Sequence, residues 1–190
     1  MTIKLIVGLG NPGASYDKTR HNVGAWVVSF LAEKNQLILR KENKFSASIA
    51  SHAETNTPYY LAIPNTFMNL SGQAVQALAH FYRLKPHDIL IVHDELDLPP
   101  GTARLKFSGG AGGHNGLKDI IEKLHSPDFY RLRIGIGHPG HRNEVSDYVL
   151  SRPSAEDHTK IISSIDASLA VIPYVLRGEI DKAMHQLHTN

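Results

Sequence analysis

The first 31 residues contain a strand, a glycine-rich turn and a helix, and this order constrains the fold more than any other stretch. Ile3 to Val7 is a short apolar run that stops at glycines, as a buried strand does. Apolar residues then recur with helical spacing from Val23, with Asn22 as the expected N-cap. His21 is therefore placed at a helix entrance beyond a strand's carboxyl end, where open α/β sheets bind their ligands.

The glycines of this turn match a dinucleotide-binding pattern, Gly8-x-Gly10-x-x-Gly13. In that motif the helix begins inside the glycine run, so that its N-terminus meets the pyrophosphate. Here the polar segment from Ala14 to Asn22 separates the last glycine from the helix. Glu33 has the spacing of the ribose-binding acid but falls within the helical pattern. The pattern therefore does not indicate a nucleotide cofactor.

Periodicity along the rest of the chain predicts an α/β fold with a mixed sheet. Strands are predicted at about 45–49, 59–63, 89–92, 102–107 and 130–136. Helices are predicted from about 72 to 84, from 117 to 124, and from 154 to 187 with a break near Arg177-Gly178. The first two of these strands read as a hairpin, which interrupts the strand–helix alternation. We expect one domain spanning residues 1–190, with C-terminal helices from about 154.

Composition limits the classes of protein. No stretch approaches the roughly 20 apolar residues of a membrane helix, and the N-terminus does not resemble a signal peptide. With 0 cysteines there is no thiolate nucleophile or thiolate zinc site, which fits a cytoplasmic location. A net charge of +2 is compatible with a polyanionic partner without identifying one.

Polar residues follow four of the predicted strands: Asn11 with His21, then Asn69, Asp94 and Asn115. Asn and Asp also cap helices and turn loops, so each asparagine alone could be structural. Taken together, the histidine, the carboxylate and the asparagines have the functional groups needed for one type of reaction. A neutral histidine can take a proton from water, and a carboxylate can fix its tautomer and support the cation that forms. Asparagine amides can donate to a developing oxyanion.

This set favours acyl hydrolysis by water without a covalent intermediate. A serine triad fits less well, because the sequence has no Gly-x-Ser-x-Gly elbow. A metal site is the competing hypothesis, with these candidate ligands: His93, Asp94 and Asp97, or His138 and His141. The sequence lacks His-Glu-x-x-His, so we expect no catalytic metal. In the last helix, His185 and His188 are expected to be solvent-exposed.

Two predicted strands place pairs of cations on one face, Arg104 with Lys106 and Arg131 with Arg133. Such faces are often simply solvated. Beside the segment Gly109–Gly116, hereafter the glycine loop, they could instead form a phosphate-binding patch. The loop is too rich in glycine to keep one shape without packing or a ligand.

Five ordered motifs resemble those of bacterial-type peptidyl-tRNA hydrolases across nearly the whole chain. They are Gly8-Leu9-Gly10-Asn11-Pro12-Gly13 with Tyr16 and Thr19-Arg20-His21-Asn22; Phe67-Met68-Asn69-Leu70-Ser71-Gly72; His93 to Gly101; Gly112 to Gly116; and Arg131 to Gly140. Gly10 and Arg104 are mild variations on the family pattern. The helical tail after about Ser154 does not contribute to the resemblance.

The resemblance implies cleavage of the ester between a peptide and the 3′ ribose of tRNA, by a twisted α/β domain that is monomeric and cofactor-free. It implies that His21 is the general base, Asp94 its carboxylate partner and Asn11 the residue that selects N-blocked substrates. The substrate-binding set it implies is Tyr16, Phe67, Asn69 and Asn115, with Met68 and His114 lining the same crevice. For the tRNA 5′ phosphate and acceptor stem it implies Arg104, Lys106 and Arg133. A non-catalytic RNA-binding module and a metal-dependent hydrolase remain the alternatives.

Overall fold

Seven strands form one mixed sheet in the computed structural model, which describes residues 1–189. They are β1 (Leu5–Gly8), β2 (Arg40–Glu42), β3 (Ala47–His52), β4 (Tyr59–Pro64), β5 (Ile89–Glu95), β6 (Ala103–Phe107) and β7 (Tyr130–Gly135). Their order across the sheet is β2-β3-β4-β1-β5-β7-β6. The four central strands β4, β1, β5 and β7 run parallel, and the outer pairs are antiparallel. The predicted class, α/β with a mixed sheet, is confirmed.

Helices cover both faces of the sheet. They are α1 (Val23–Lys34), α2 (Ser71–Phe81), α3 (Asn115–Leu124), α4 (Val145–Val149), α5 (Ala155–Leu176) and α6 (Ile180–His188). The buried apolar residues of α1, α5 and α6 pack on one face, and those of α2 and α3 pack on the other. The central strands β1 and β5 are therefore buried on both sides, which explains why they read as continuous apolar runs.

Two glycines let α1 lie directly on the sheet. A Cβ on Gly24 would stand 2.2 Å from the carbonyl oxygen of Val92 in β5, and a Cβ on Gly8 would stand 2.3 Å from the carbonyl oxygen of Gly24. Real Cβ atoms do not come this close to backbone atoms, so both positions need glycine for contact rather than for a turn. This packing fixes the entrance of α1, where His21 lies, relative to the end of β5.

The structure differs from the sequence predictions at three short elements. The edge strand β2 and the one-turn helix α4 were not predicted, because three exposed residues and five residues are too short to show periodicity. Phe45 belongs to a 3₁₀ turn, so β3 begins at Ala47. The predicted hairpin of β3 and β4 is confirmed, with Ala50 opposite Leu61.

Helix α5 is long and apolar enough to cross a membrane by length and composition. Half of its most apolar window is nevertheless buried inside the protein, and Ile161, Ile165 and Ile172 lie in the core against the sheet. These features are those of a core helix.

Candidate active site

A cleft of about 700 Å³ opens at the carboxyl ends of the parallel strands. Eight of the residues that the resemblance assigned to catalysis or substrate binding line it: Asn11, His21, Phe67, Met68, Asn69, Asp94, His114 and Asn115. Three of the four segments that carry them are the loop after β1, the turn after β4 and the end of β5, and the fourth is the turn into α3, which follows the antiparallel strand β6. The parallel strands end at the same edge of the sheet, so the residues of the first three segments meet there.

The innermost contact joins His21 to Asp94. Nδ1 of His21 lies 2.9 Å from Oδ2 and 3.0 Å from Oδ1 of the carboxylate, and both side chains are buried. Burial by itself lowers the pKa of His21, but the charge and hydrogen bond of Asp94 outweigh it and raise that pKa above its ordinary value. Burial likewise disfavours the Asp94 anion, yet the neighbouring histidines hold the pKa of this carboxyl far below its usual range.

The turn that carries His21 is held from behind by Arg20. Its guanidinium donates to Oγ of Ser151 at 2.6 Å and to the carbonyl of Tyr148 at 3.2 Å, and it stacks over the Tyr148 ring. The backbone N–H of Arg20 also donates to the carbonyl of Ser151. The end of α4 and the residues just after it thus hold the 3₁₀ turn Arg20–Asn22 and, with it, the imidazole.

Asn22 clamps Asn11 instead of capping α1. Its side-chain oxygen accepts the backbone N–H of Asn11 at 2.9 Å, and its amide nitrogen donates to the Asn11 carbonyl at 2.9 Å. Asn22 occupies the predicted N-cap position, but its side chain makes no hydrogen bond to the first turn of α1. The predicted capping bond is therefore wrong. An amide can bond a distant backbone segment as well as the local one, and the sequence does not say which.

Asn11 is held in one orientation by a further bond, because its Oδ1 accepts the backbone N–H of Met68 at 2.7 Å. With the oxygen committed, the Nδ2 group is the part of this amide that can donate to a ligand. Asn69, Asn115 and Phe67 are exposed along the cleft. Tyr16 packs edge-on against Phe67 with ring centroids 6.0 Å apart, at the rim.

His114, rather than Asn115, caps α3. Its Nδ1 accepts the backbone N–H groups of Gly116 at 3.1 Å and Leu117 at 3.3 Å. Its Nε2 lies 2.8 Å from Oδ1 of Asp94. This cap was not predicted, because histidine is not among the favoured N-cap residues.

Three side chains in the cleft come close enough to coordinate a metal ion: His21, Asp94 and His114, whose ligand atoms lie within 4.8 Å of one another. The arrangement fits a metal poorly. A histidine that binds a metal through Nε2 carries its proton on Nδ1 and donates it to a neighbour, but Nδ1 of His114 faces two N–H donors. The group of three anticipated from sequence, His93, Asp94 and Asp97, does not form a ligand cluster within residues 1–189.

Arg104, Lys106 and Arg133, hereafter the basic patch, lie on the adjacent strands β6 and β7. Arg104 is paired with Arg133 in register, and Lys106 is exposed next to them. Arg133 also forms an ion pair of 3.3 Å with Glu95, at the end of β5 beside Asp94. The patch therefore adjoins the cleft through β5.

Arg131 is not part of this surface, contrary to the sequence expectation of a paired cationic face. The residue is 3% exposed, and its guanidinium donates to the carbonyl oxygens of Gly109 and Gly110. Arg131 thus supplies the packing that the glycine loop needs to keep one shape. Strand alternation predicts the face of a side chain but not whether a loop folds over it.

His188 also departs from expectation, because it is only partly exposed. Its Nε2 accepts the backbone N–H of Leu105 at 3.0 Å, which covers the open edge of β6 between Arg104 and Lys106. Burial and the two nearby arginines, Arg104 and Arg133, lower the pKa of His188. His185 is exposed as predicted.

Comparisons with known proteins find similar sequences and structures over nearly the whole chain. The model of a family described as Peptidyl-tRNA hydrolase matches residues 5–190. The chain is 55% identical over 187 residues to peptidyl-tRNA hydrolase of Coxiella burnetii, which covers 98% of both chains. It is 52% identical over 188 residues to that of Legionella pneumophila, covering 99% of this chain and 100% of the relative. A solved structure of peptidyl-tRNA hydrolase from Acinetobacter baumannii is similar with a TM-score of 0.95 and 44% identity, covering 97% of this chain and 94% of that one.

Proposed function

The chain belongs to the peptidyl-tRNA hydrolase family and hydrolyses peptidyl-tRNA, and we propose that His21 is the general base of this reaction. The observation that carries the proposal is the buried pair of His21 and Asp94 at the base of the cleft. Nδ1 donates its proton to the carboxylate, which leaves the Nε2 lone pair to accept a proton from water.

Asp94 stabilises the cation that His21 becomes during the reaction. The carboxylate lies against Nδ1 and is 4% exposed, so its charge is poorly screened by solvent. The raised pKa of His21 follows from this pairing and makes the imidazole a stronger base.

Amide donors in the cleft serve the developing oxyanion. Asn11 presents Nδ2 because its oxygen is held by Met68 N–H, and Asn69 and Asn115 line the same cleft. A neutral donor that is already oriented stabilises the negative oxygen of a tetrahedral intermediate without having to reorganise. We assign to Asn11 the further role of distinguishing N-blocked from free aminoacyl groups.

In the proposed mechanism water attacks the ester directly, and no covalent enzyme intermediate forms. A water proton passes to Nε2 of His21 as the water oxygen bonds to the ester carbonyl carbon. The tetrahedral intermediate then collapses, the bond from that carbon to the ribose 3′ oxygen breaks, and the proton on Nε2 passes to the leaving alkoxide. The products are free tRNA and a peptide with a new carboxyl group.

The basic patch binds the 5′ phosphate and acceptor stem of the tRNA in this proposal. The position of the patch supports this assignment, because β7 lies directly beside β5, which carries Asp94, and β6 lies beside β7. Arginine can hold a phosphate with two hydrogen bonds, and such contacts set register rather than sequence preference. Tyr16 and Phe67 at the rim would contact the 3′ end or the peptide. We further propose that the protein acts as a monomer in the cytoplasm, which light scattering after gel filtration tests for the oligomeric state.

Cleavage of N-acetyl-aminoacyl-tRNA tests the function, with unblocked aminoacyl-tRNA as the specificity control and a chelator in parallel. His21→Ala should lower kcat by about 10²- to 10⁴-fold while tRNA binding is kept. His80→Ala removes an exposed histidine at the end of α2 and serves as the matched control. Near-wild-type turnover by His21→Ala would remove His21 from its role.

The same assay separates the alternatives. A non-catalytic RNA-binding module would bind the substrate through the basic patch but release no free tRNA. A metal-dependent hydrolase would lose activity on exhaustive chelation and regain it with added metal.

A further inference from the structure

The proton on His114 has a fixed location. Nδ1 accepts two backbone N–H groups at the start of α3, from Gly116 and Leu117. A ring nitrogen that accepts N–H groups cannot itself carry a proton, so the imidazole is neutral with its hydrogen on Nε2. That hydrogen points at Oδ1 of Asp94, 2.8 Å away.

Asp94 therefore receives two imidazole N–H groups. His21 donates from the turn before α1, nearly equidistant from the two carboxylate oxygens at 2.9 and 3.0 Å. The bond from His114 to Oδ1 adds a second contact, from another direction, that restricts rotation of the carboxylate.

We propose that His114 is a positioning residue that orients Asp94 and thereby sets the direction and basicity of His21. The inference rests on the proposed role of His21 and adds a member that acts through Asp94. The side chain of His114 is only 9% exposed, which leaves little of it for a substrate. Its two ring nitrogens are already engaged, one by α3 and one by the carboxylate.

This role links the glycine loop to the catalytic pair. Arg131 holds the carbonyls of Gly109 and Gly110, and the backbone N–H of His114 donates to the carbonyl of Ala111 at 3.0 Å. The loop and the first turn of α3 must both be in place for Nε2 of His114 to reach Asp94. In this proposal the orientation of Asp94 is therefore coupled to the order of the glycine loop.

Loss of His114 should change the pKa of His21 in one defined direction. Asp94 would lose one of its two N–H donors, so more of its negative charge would act on His21 and raise the pKa of His21 further. The other groups that face these side chains are His93, whose ring lies 5.2 Å from that of His114, and Arg131 beyond it on β7. His93 is buried and neutral, and the guanidinium of Arg131 is already bonded to the glycine loop.

The substitution His114→Asn tests the bond to Asp94 separately from the capping of α3. Asparagine is a good N-cap and can hold the α3 N–H groups, but its amide is too short to hold Asp94 at the same time. The expected result is an almost unchanged Tm and KM and a kcat lower by about 10- to 100-fold, the scale of a misplaced catalytic group. The acid limb of the kcat/KM profile should move to higher pH. An unchanged kcat and pH profile, or a raised KM alone, would overturn the proposal.

Two further measurements separate this proposal from the role of His21. In an Asp94→Asn background, His114→Asn should lower kcat little further, because both substitutions disrupt the same hydrogen-bonded group. If the two effects on the free energy of activation simply add, His114 does not act through Asp94. Nitrogen-15 NMR of the wild-type imidazoles should find His114 as the Nε2–H tautomer, with Nδ1 unprotonated. A protonated Nδ1 there would refute the assignment whatever the activity of the His21 variants.

Discussion

The side-chain oxygen of Asn11 accepts the backbone N–H of Met68 at 2.7 Å, a bond between residues 57 positions apart. It joins the loop after β1 to the turn after β4 and leaves the Asn11 amide nitrogen as the group that faces the cleft.

Asn11→Asp should lower kcat while the fold is kept. An aspartate oxygen can still accept the Met68 N–H, but the donor is replaced by a negatively charged acceptor. We expect a loss of about 10²- to 10³-fold, the cost of removing one oxyanion donor. Steady-state cleavage of N-acetyl-aminoacyl-tRNA measures it. Asn56→Asp, at an exposed hairpin turn, makes the same chemical change outside the cleft and should leave kcat unaltered.

Asp94→Asn should move the acid limb of the kcat/KM profile to lower pH while kcat falls. Without the carboxylate, only burial acts on His21, and burial lowers the pKa of an imidazole. In the wild type the limb should lie above the ordinary histidine value, because only neutral His21 can take the proton. The shift is opposite in sign to that expected for His114→Asn. If the acid limb of the Asp94→Asn profile stays at the wild-type pH, the limb does not report the pKa of His21.

Lys106→Ala and Arg133→Ala should raise KM and flatten its dependence on salt. Each phosphate contact that is lost should reduce the slope of log affinity against log salt by about 0.7 to 0.9. The measurement is KM for N-acetyl-aminoacyl-tRNA between low and moderate salt. Arg40→Ala removes an exposed arginine on β2, at the opposite edge of the sheet, and should change neither KM nor slope. An unaltered salt response in both patch variants would argue against the tRNA contact.

Acid should destabilise the protein through His93. Its Nδ1 donates to the carbonyl of Asp94 and its buried Nε2 has no hydrogen-bond partner within residues 1–189. Burial, followed by the nearby His114, lowers the pKa of His93 to about 3. Because the unfolded state takes up this proton first, the contribution of His93 to stability is complete above about pH 6.5 and is lost as pH falls towards 3, by up to about 1.4 kcal/mol per pH unit.

Urea unfolding of the wild type and His93→Gln between pH 4 and 7 measures this contribution. The stability of the wild type relative to the variant should decline as pH falls. His21 acts in the opposite direction, since its raised pKa favours the folded state at lower pH, but it is common to both proteins. Parallel pH profiles for the two proteins would contradict the assignment.

Gly24→Ala should destabilise the fold severely. The new methyl group would meet the Val92 carbonyl oxygen at 2.2 Å and the Leu9 nitrogen at 2.8 Å, so α1 must move off the sheet. A loss of about 3 kcal/mol or more is expected for such a backbone clash, measured as a drop in Tm. Gly110→Ala places its methyl group in open space and should leave Tm nearly unchanged.

The sequence by itself determined the order of elements and the kind of chemistry. The apolar runs of β1 and β5 predicted buried strands because both faces of these strands are covered by helices. The polar residues at or beyond the ends of β1, β4 and β5 predicted a shared cleft because parallel strands end at one edge of the sheet. The structure places His21, Asp94 and the three asparagines along that cleft, and their roles in the reaction stay a prediction.

The tertiary structure alone decided which partner each polar group binds. Asn22 was expected to cap α1 and clamps Asn11, Arg131 was expected on a cationic face and holds the glycine loop, and His114 caps α3 while it bonds Asp94. Local spacing fixes the face on which a side chain lies, since that depends on backbone geometry within a few residues. Its hydrogen-bond partner comes from whichever distant segment packs there, and that is set only when the whole chain folds.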